Sequence, residues 1–91
     1  MIQRKILIEN RLGLHARAAA RLVQLTSHFS SRIHVAREGQ KQEIDCKSIL
    51  GLLKLAAGRG TRLVLTVQGP DEIEAANAVV QLFIEKFGEP S

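Results

Sequence analysis

The spacing of apolar residues predicts a first strand and a first helix at the start of the chain. From Ile2 to Glu9 the apolar positions alternate around Ile6 and Ile8, as in a strand with one buried face. From about Ala16 to His28 the apolar residues fall three or four apart, which is typical of an amphipathic helix. The predicted buried stripe of this helix comprises Ala18, Leu22, Leu25 and Phe29.

The middle of the chain predicts a hairpin followed by a short helix. The segments "RIHVAR" and "QKQEIDC" contain β-branched residues, and Gly39 between them can adopt the positive φ of a tight turn. In "SILGLLKLAAG", Ser48 is a natural N-cap, and the helix is expected to end near Gly58.

The last part of the chain predicts one more strand and one more helix. "TRLVLTVQG" alternates as a strand, and Pro70 with the acids that follow it is typical of a helix start. We expect Gly88 and Pro90 to end this helix. Its predicted buried stripe comprises Ile73, Ala76, Val80, Phe83 and Phe87. The order β-α-β-β-α-β-α predicts an α+β open-faced sandwich, one sheet with helices on one face, and leaves the strand order open.

Length and composition favour one domain over residues 1–91. A chain of 91 residues with 45% hydrophobic content can bury one modest core. The apolar runs are too short for a membrane span, and "MIQRKILIEN" does not resemble a secretory signal, so we expect a cytoplasmic protein. Cys46 is the only cysteine and is expected to be a small packing residue. His28 and His34 have no ligand spacing that would indicate a metal site.

Charge is distributed unevenly along the chain. The net charge is +4, but from Asp71 onward five acids stand against one base, Lys86, so this part is near −4 and the rest near +8. A positive surface attracts nucleic acid, an anionic membrane surface or an acidic or phosphorylated protein. Because the chain has three Phe and no Tyr or Trp, it lacks the stacking residues of single-strand binders. An acidic or phosphorylated protein partner is therefore favoured over nucleic acid, which remains the competing hypothesis.

His15 stands at or next to the start of the first predicted helix. Unpaired backbone N–H groups and the positive end of the helix dipole make such a position an anion site. Arg17 lies in the first turn and can donate charge-assisted hydrogen bonds to phosphate, and Arg21 adds to the positive field. These residues fit a histidine that accepts a phosphoryl group. They also fit an ordinary capping or solvated histidine, and position alone does not separate the two.

Two motifs in order add a resemblance to a known family. "GLHARA" at Gly13 to Ala18 and "KSILGLLKLAAGRGT" from Lys47 resemble the HPr family, the histidine phosphocarrier proteins of the bacterial phosphotransferase system. The likeness covers nearly the whole chain and includes the "VQGPDEIEAA" entry into the last helix. The pieces "LGLHAR", "GPDE" and "FGE" look more like proteobacterial HPr-like proteins, including nitrogen-branch carriers, than like an HPr dedicated to sugar transport.

The resemblance implies a fold, a reaction and roles for single residues. The family fold is an open-faced sandwich with a four-stranded antiparallel sheet and three helices on one face. His15 matches the histidine phosphorylated on Nδ1 by enzyme I, which then passes the group to an enzyme IIA-type domain, and Arg17 matches the neighbouring active-site arginine. Ser48 matches the regulatory serine that an HPr kinase/phosphorylase modifies in some bacteria. No cofactor or metal is implied. Ala18 departs from the family pattern, which usually has proline there.

We expect partner binding to involve the surface around these residues. The short helix after Ser48 has more apolar residues than one buried stripe requires, so one or more are expected to be exposed for docking. The predicted partner-binding residues are Leu14, Ala18, Arg21, Lys47, Ile49 and Leu52. The expected partners are enzyme I, enzyme IIA-type domains and the serine kinase, with no nucleic acid, no membrane insertion and a monomeric chain. A regulatory protein that signals by its phosphorylation state is the alternative to a carrier for sugar uptake.

Overall fold

Four strands and three α-helices follow one another in the predicted order in the computed structural model, which describes residues 1–91. The strands are β1 (Ile2–Leu7), β2 (Arg32–Arg37), β3 (Ile44–Asp45) and β4 (Arg62–Gln68). The helices are α1 (Ala16–Thr26), α2 (Ile49–Leu55) and α3 (Glu72–Ile84), and a 3-10 turn, Lys86–Gly88, follows α3. None of the helices combines the length and apolar character that crossing a bilayer takes.

The strands form one antiparallel sheet in the order β1-β4-β2-β3. In the inner strand β4, Leu63 lies opposite Ile6 of β1, and Leu65 lies opposite Val35 of β2. These four side chains are buried on one face of the sheet, while the residues that alternate with them face outward. The predicted open-faced α+β sandwich is therefore confirmed, and the structure adds the strand order.

The helices bury their apolar stripes on this face. α3 packs on β1, β4 and β2, and α1 contacts both α2 and α3. Ala18 and Leu22 of α1 and Val79 and Phe83 of α3 are at most 2% exposed and join the strand residues in one core cluster. This packing holds the start of α1 in a fixed relation to the two other helices.

Three helix details differ from the prediction. α1 ends at Thr26 rather than His28, since Ser27 caps it. α2 ends at Leu55, three residues before the expected end near Gly58, because Ala56 adopts left-handed backbone geometry with φ 50°. In α3 the predicted core residue Ile73 is 62% exposed, because the buried stripe runs through Ala75, Ala76, Val79 and Phe83 instead.

The predicted hairpin is present with a longer connection and a shorter second strand. β3 has only two residues, which pair with His34 and Val35 of β2. Residues 38–43 connect the strands, and Gly39 has the positive φ, 83°, that was expected of it. The polar segment "QKQE" thus lies entirely in the loop, because it has no apolar side chain to hold it on the sheet.

Candidate functional site

His15 is the N-cap of α1, and its backbone opens the helix. The residue is extended (φ −73°, ψ 178°), and its carbonyl oxygen accepts the first helical hydrogen bond from the Ala19 N–H at 2.8 Å. The imidazole makes no capping hydrogen bond. The N–H groups of Ala16, Arg17 and Ala18 therefore have no partner within the chain. Three free amides at the positive end of a helix form an anion site next to the histidine.

The loop before His15 is fixed on the end of α2. The Leu14 N–H donates to the Ala57 carbonyl oxygen at 2.9 Å, and the Leu14 side chain is buried. Gly13 has φ 63°, and a Cβ added to it would lie 2.4 Å from the same carbonyl oxygen. Only glycine allows this approach together with this backbone geometry. The direction in which the chain enters α1 is thus set by Gly13.

The two ring nitrogens of His15 have different surroundings. Nε2 forms a hydrogen bond with the Glu89 carboxylate, in the segment after α3. Nδ1 makes no hydrogen bond within the chain, and the side chain is 22% exposed. Nδ1 is therefore the nitrogen that is free to react. The contact with Glu89 was not predicted from the sequence.

Partners of the Glu89 carboxylate keep it ionised. Partial burial by itself raises the pKa of Glu89, but the hydrogen bonds from Asn10 and His15, with the charges of His15 and Arg17, outweigh it and leave this pKa below its ordinary value. The carboxylate is charged at neutral pH and only accepts hydrogen bonds. The proton between the two residues therefore lies on Nε2 of His15.

Arg17 is exposed and its guanidinium makes no hydrogen bond within the chain. It lines a cleft of about 300 Å³ together with Arg11, Leu12, Glu89, Pro90 and Ser91. Two guanidinium groups at this cleft can meet the oxygens of a phosphoryl group, since arginine binds them with paired N–H donors. The structure thus brings His15, Arg17 and the open amides of α1 together, as the sequence predicted.

Ser48 is the N-cap of α2, as predicted. Its hydroxyl oxygen accepts a hydrogen bond from the Gly51 N–H at 3.0 Å, and its carbonyl oxygen accepts from the Leu52 N–H at 3.1 Å. The side chain is only partly buried. Cys46, two residues earlier, is buried, which raises the pKa of its thiol, and the charge of Asp45 adds to this effect. The thiol therefore stays protonated and packs in the core.

The prediction of partner-binding residues needs correction. Leu14, Ala18 and Leu52 are at most 3% exposed, because their side chains belong to the hydrophobic core, so they cannot offer a contact surface. The Arg21 guanidinium donates to the Phe87 carbonyl oxygen and so holds the segment after α3. The Lys47 ammonium group donates to the Phe29 carbonyl oxygen at 2.7 Å.

The expectation that α2 leaves apolar side chains exposed is confirmed, although among the predicted partner-binding residues of this helix only Ile49 is exposed. Ile49 is 44% exposed, in agreement with the expectation, and Leu50 and Leu53 are 62% and 37% exposed. Leu50 was not singled out from the sequence. It is exposed because it points away from the buried Leu52, to the opposite side of the helix. We call Ile49, Leu50 and Leu53 the α2 patch.

Comparisons with known proteins give one consistent result. The family model described as "PTS HPr component phosphorylation site" matches residues 2–85. The phosphocarrier protein HPr of Cupriavidus necator is 47% identical over 89 residues, 98% of each chain, and that of Pseudomonas aeruginosa is 44% identical over 85 residues, 93% of each chain. The solved structure of HPr from Thermoanaerobacter tengcongensis aligns over 100% of both chains with a TM-score of 0.92 and 42% identity.

These matches extend well beyond the two motifs that first indicated the resemblance. The family match includes both the helix start at His15 and the cap at Ser48. The structural match includes the sheet and all three helices, since it covers the whole chain. The chain belongs to the HPr family of phosphocarrier proteins of the phosphotransferase system.

Proposed function

We propose that His15 accepts a phosphoryl group from enzyme I and passes it to a histidine or cysteine of an enzyme IIA-type domain. The observation that carries this proposal is the difference between the two ring nitrogens, Nε2 bonded to Glu89 and Nδ1 free beside the open amides of α1. In the first step the Nδ1 lone pair forms a bond to phosphorus, and the bond from phosphorus to enzyme I breaks with its electron pair. The second step repeats this exchange on the acceptor.

The transferred group gains its stabilisation from the start of α1. Amide N–H groups of Ala16, Arg17 and Ala18 face the phosphoryl oxygens, and the free guanidinium of Arg17 adds a charged donor. Phosphoryl transfer needs positioning and charge stabilisation more than covalent machinery, so a helix terminus and one arginine suffice. The proposed mechanism uses no cofactor on this chain. We expect the protein to work as a cytoplasmic monomer.

The phosphorylation site is tested with enzyme I and labelled phosphoenolpyruvate. We expect acid-labile label on the natural chain and on His28→Ala, since His28 is exposed at the far end of α1. We expect no label on His15→Ala. Label that persists on His15→Ala would place the site elsewhere, and an unlabelled natural chain would reject the carrier function. Adding sugar-branch and nitrogen-branch enzyme IIA domains in turn identifies the acceptor and separates the carrier from the regulatory alternative.

The α2 patch supports a docking role toward these partners. Three exposed apolar side chains in one short helix, next to the exposed Lys54, suit a partner with an apolar centre and acidic rim. Leu50→Ser tests this role, and Ile73→Ser on α3 is the matched control, because both side chains are 62% exposed. We expect Leu50→Ser alone to raise the KM of enzyme I for the chain. Equal KM values for both variants would contradict docking through α2.

Ser48 is the proposed regulatory phosphorylation site. Its hydroxyl is partly accessible and caps α2 directly before the α2 patch. A phosphate there carries about two negative charges, which the helix N-terminus tolerates but an acidic partner does not. Incubation with HPr kinase/phosphorylase and ATP should label the natural chain and leave Ser48→Ala unlabelled. Label on both chains would show that the kinase modifies another residue.

A further inference from the structure

The side chain of Glu89 lies against His15 and uses both carboxylate oxygens. Oε2 accepts from Nε2 of His15, and Oε1 accepts from the Asn10 side-chain amide at 2.9 Å. The Glu89 side chain is only 10% exposed. A carboxylate with both oxygens bonded and little contact with water has one fixed orientation. The ring nitrogen that it contacts is therefore fixed as well.

The backbone around Glu89 is held by several independent contacts. Phe87 is 1% exposed and packs edge-on against Phe83, with 4.9 Å between ring centroids. The Arg21 guanidinium donates to the Phe87 carbonyl oxygen, and the Glu89 N–H donates to the Lys86 carbonyl oxygen at 3.0 Å. These contacts turn the chain back toward α1 after α3 ends. The carboxylate thus reaches His15 from a rigid base.

Asn10 completes this arrangement from the loop before α1. Its side-chain NH₂ group donates both to the Glu89 carboxylate and to the Gly13 carbonyl oxygen, the latter at 2.8 Å. Both partners are acceptors, so the orientation of the amide is unambiguous. Asn10 is 1% exposed. The same side chain therefore ties Glu89 to the loop that directs His15.

We propose that Glu89 is a positioning residue for phosphoryl transfer through His15, which deepens the proposed function and rests on it. By accepting a hydrogen bond from the Nε2–H group, the carboxylate selects the ring tautomer in which Nδ1 carries the lone pair. It also keeps the ring rotated so that Nδ1 points away from the segment after α3. An acidic residue that orients a reactive histidine in this way leaves the chemistry to the ring and acts through it.

The same contact assists the release of the phosphoryl group. When Nδ1 bonds to phosphorus, the ring becomes positively charged and keeps its proton on Nε2, opposite the carboxylate. When the acceptor attacks phosphorus, the N–P bond breaks and its electron pair returns to Nδ1. The leaving group is then a neutral imidazole. Without a carboxylate to hold the Nε2 proton, the ring would lose it more readily, and the leaving group would be the much poorer imidazolate anion.

Glu89→Gln tests this role, with Glu85→Gln as the matched control. Both changes remove one negative charge after the same helix, but Glu85 is exposed and bonds only to Gln81 on that helix. The first measurement is the ring tautomer of unphosphorylated His15, read from ¹⁵N chemical shifts at a pH where the ring is neutral. The second is the rate of phosphoryl transfer from the labelled chain to an enzyme IIA domain. Circular dichroism checks that each variant is folded.

We expect the Nε2–H tautomer to dominate in the natural chain and in Glu85→Gln, and to lose this dominance in Glu89→Gln. The transfer rate should fall about 10-fold to 100-fold in Glu89→Gln, the range that follows from losing one charge-assisted hydrogen bond. Glu89→Asp keeps the carboxylate and should recover part of both effects.

Each other outcome contradicts a definite part of the proposal. An unchanged tautomer in Glu89→Gln, with or without a slower rate, would overturn the positioning role, and so would a changed tautomer with an unchanged rate. Failure of the natural chain to accept any label would instead reject the proposed function, while the tautomer measurement would still report whether Glu89 orients the ring.

Discussion

Gly13 offers a test of how the reactive histidine is held, because its substitution has two separable costs. Its φ of 63° is unfavourable for any residue with a side chain. A Cβ at this position would also lie 2.4 Å from the Ala57 carbonyl oxygen and 2.7 Å from the Gly58 Cα. Both of these are backbone atoms, so no side chain can rotate away. In Gly13→Ala the loop must move off the end of α2.

The expected magnitude follows from these two costs. Left-handed backbone geometry costs an alanine about 1 kcal/mol. Moving the loop breaks the hydrogen bond from the Leu14 N–H to the Ala57 carbonyl oxygen, whose loss between buried groups costs about 1 to 2 kcal/mol more. Gly13→Ala should therefore lower the free energy of unfolding by about 2 to 3 kcal/mol.

Gly39→Ala is the matched control, because it places alanine in left-handed backbone geometry without forcing a loop to move. Gly39 has φ 83°, and an added Cβ would have no heavy atom within 4 Å. We expect Gly39→Ala to lower the free energy of unfolding by about 1 kcal/mol. Urea unfolding followed by far-UV circular dichroism measures both values, since the chain has no Trp or Tyr for fluorescence. Equal losses in the two variants would refute the close approach at Ala57 as the reason for glycine at position 13.

Three further variants test other parts of the structure. Ser48→Ala removes the hydroxyl that caps α2 and should lower the free energy of unfolding by about 1 kcal/mol in urea, whereas Ser48→Asp, which can still cap, should lose less. Hydrogen bonds from the Ser31 hydroxyl and the Ser30 and Ser31 amides lower the pKa of Asp71 to about 2, so the folded chain binds fewer protons than the unfolded chain below the ordinary value of 3.8. The stability that Asp71 contributes should thus be complete above about pH 4 and be lost as the pH falls toward 2, and acid titrations of Asp71→Asn should lack this component. Ala18→Pro breaks no hydrogen bond within the chain and leaves the open amides of Ala16 and Arg17 and the Arg17 guanidinium to hold the phosphoryl group, so it should still accept label from enzyme I. A folded variant without any label would contradict the helix start at Ala16.

Apolar spacing predicted the elements of this fold because each helix or strand buries its own face. The alternation at Leu63, Leu65 and Val67 and the steps from Ala18 to Leu22 are local patterns with one structural solution each. Helix ends were predicted less well where a non-glycine residue adopts left-handed geometry. Ala56 ends α2 in this way because its neighbour Ala57 is drawn into the core and bonds to Leu14, a constraint that no local pattern contains. The strand order likewise depends on contacts between distant segments.

The candidate site was likewise predictable from the sequence only where its residues are close together in the chain. Its local half, the open amides of α1 with His15 and Arg17, lies within a few residues and could be inferred from the helix start. Its other half, Glu89, is 74 positions from His15 and reaches it only because Phe87 is buried and the chain turns after α3. The Arg21 guanidinium was predicted to add to the positive field at His15, but it donates a hydrogen bond to the Phe87 carbonyl oxygen in this same segment instead. Arg21 is therefore expected to act on His15 only through the backbone that carries Glu89. Substitution of Arg21 should change the ring tautomer of His15 more than it changes binding of the phosphoryl group.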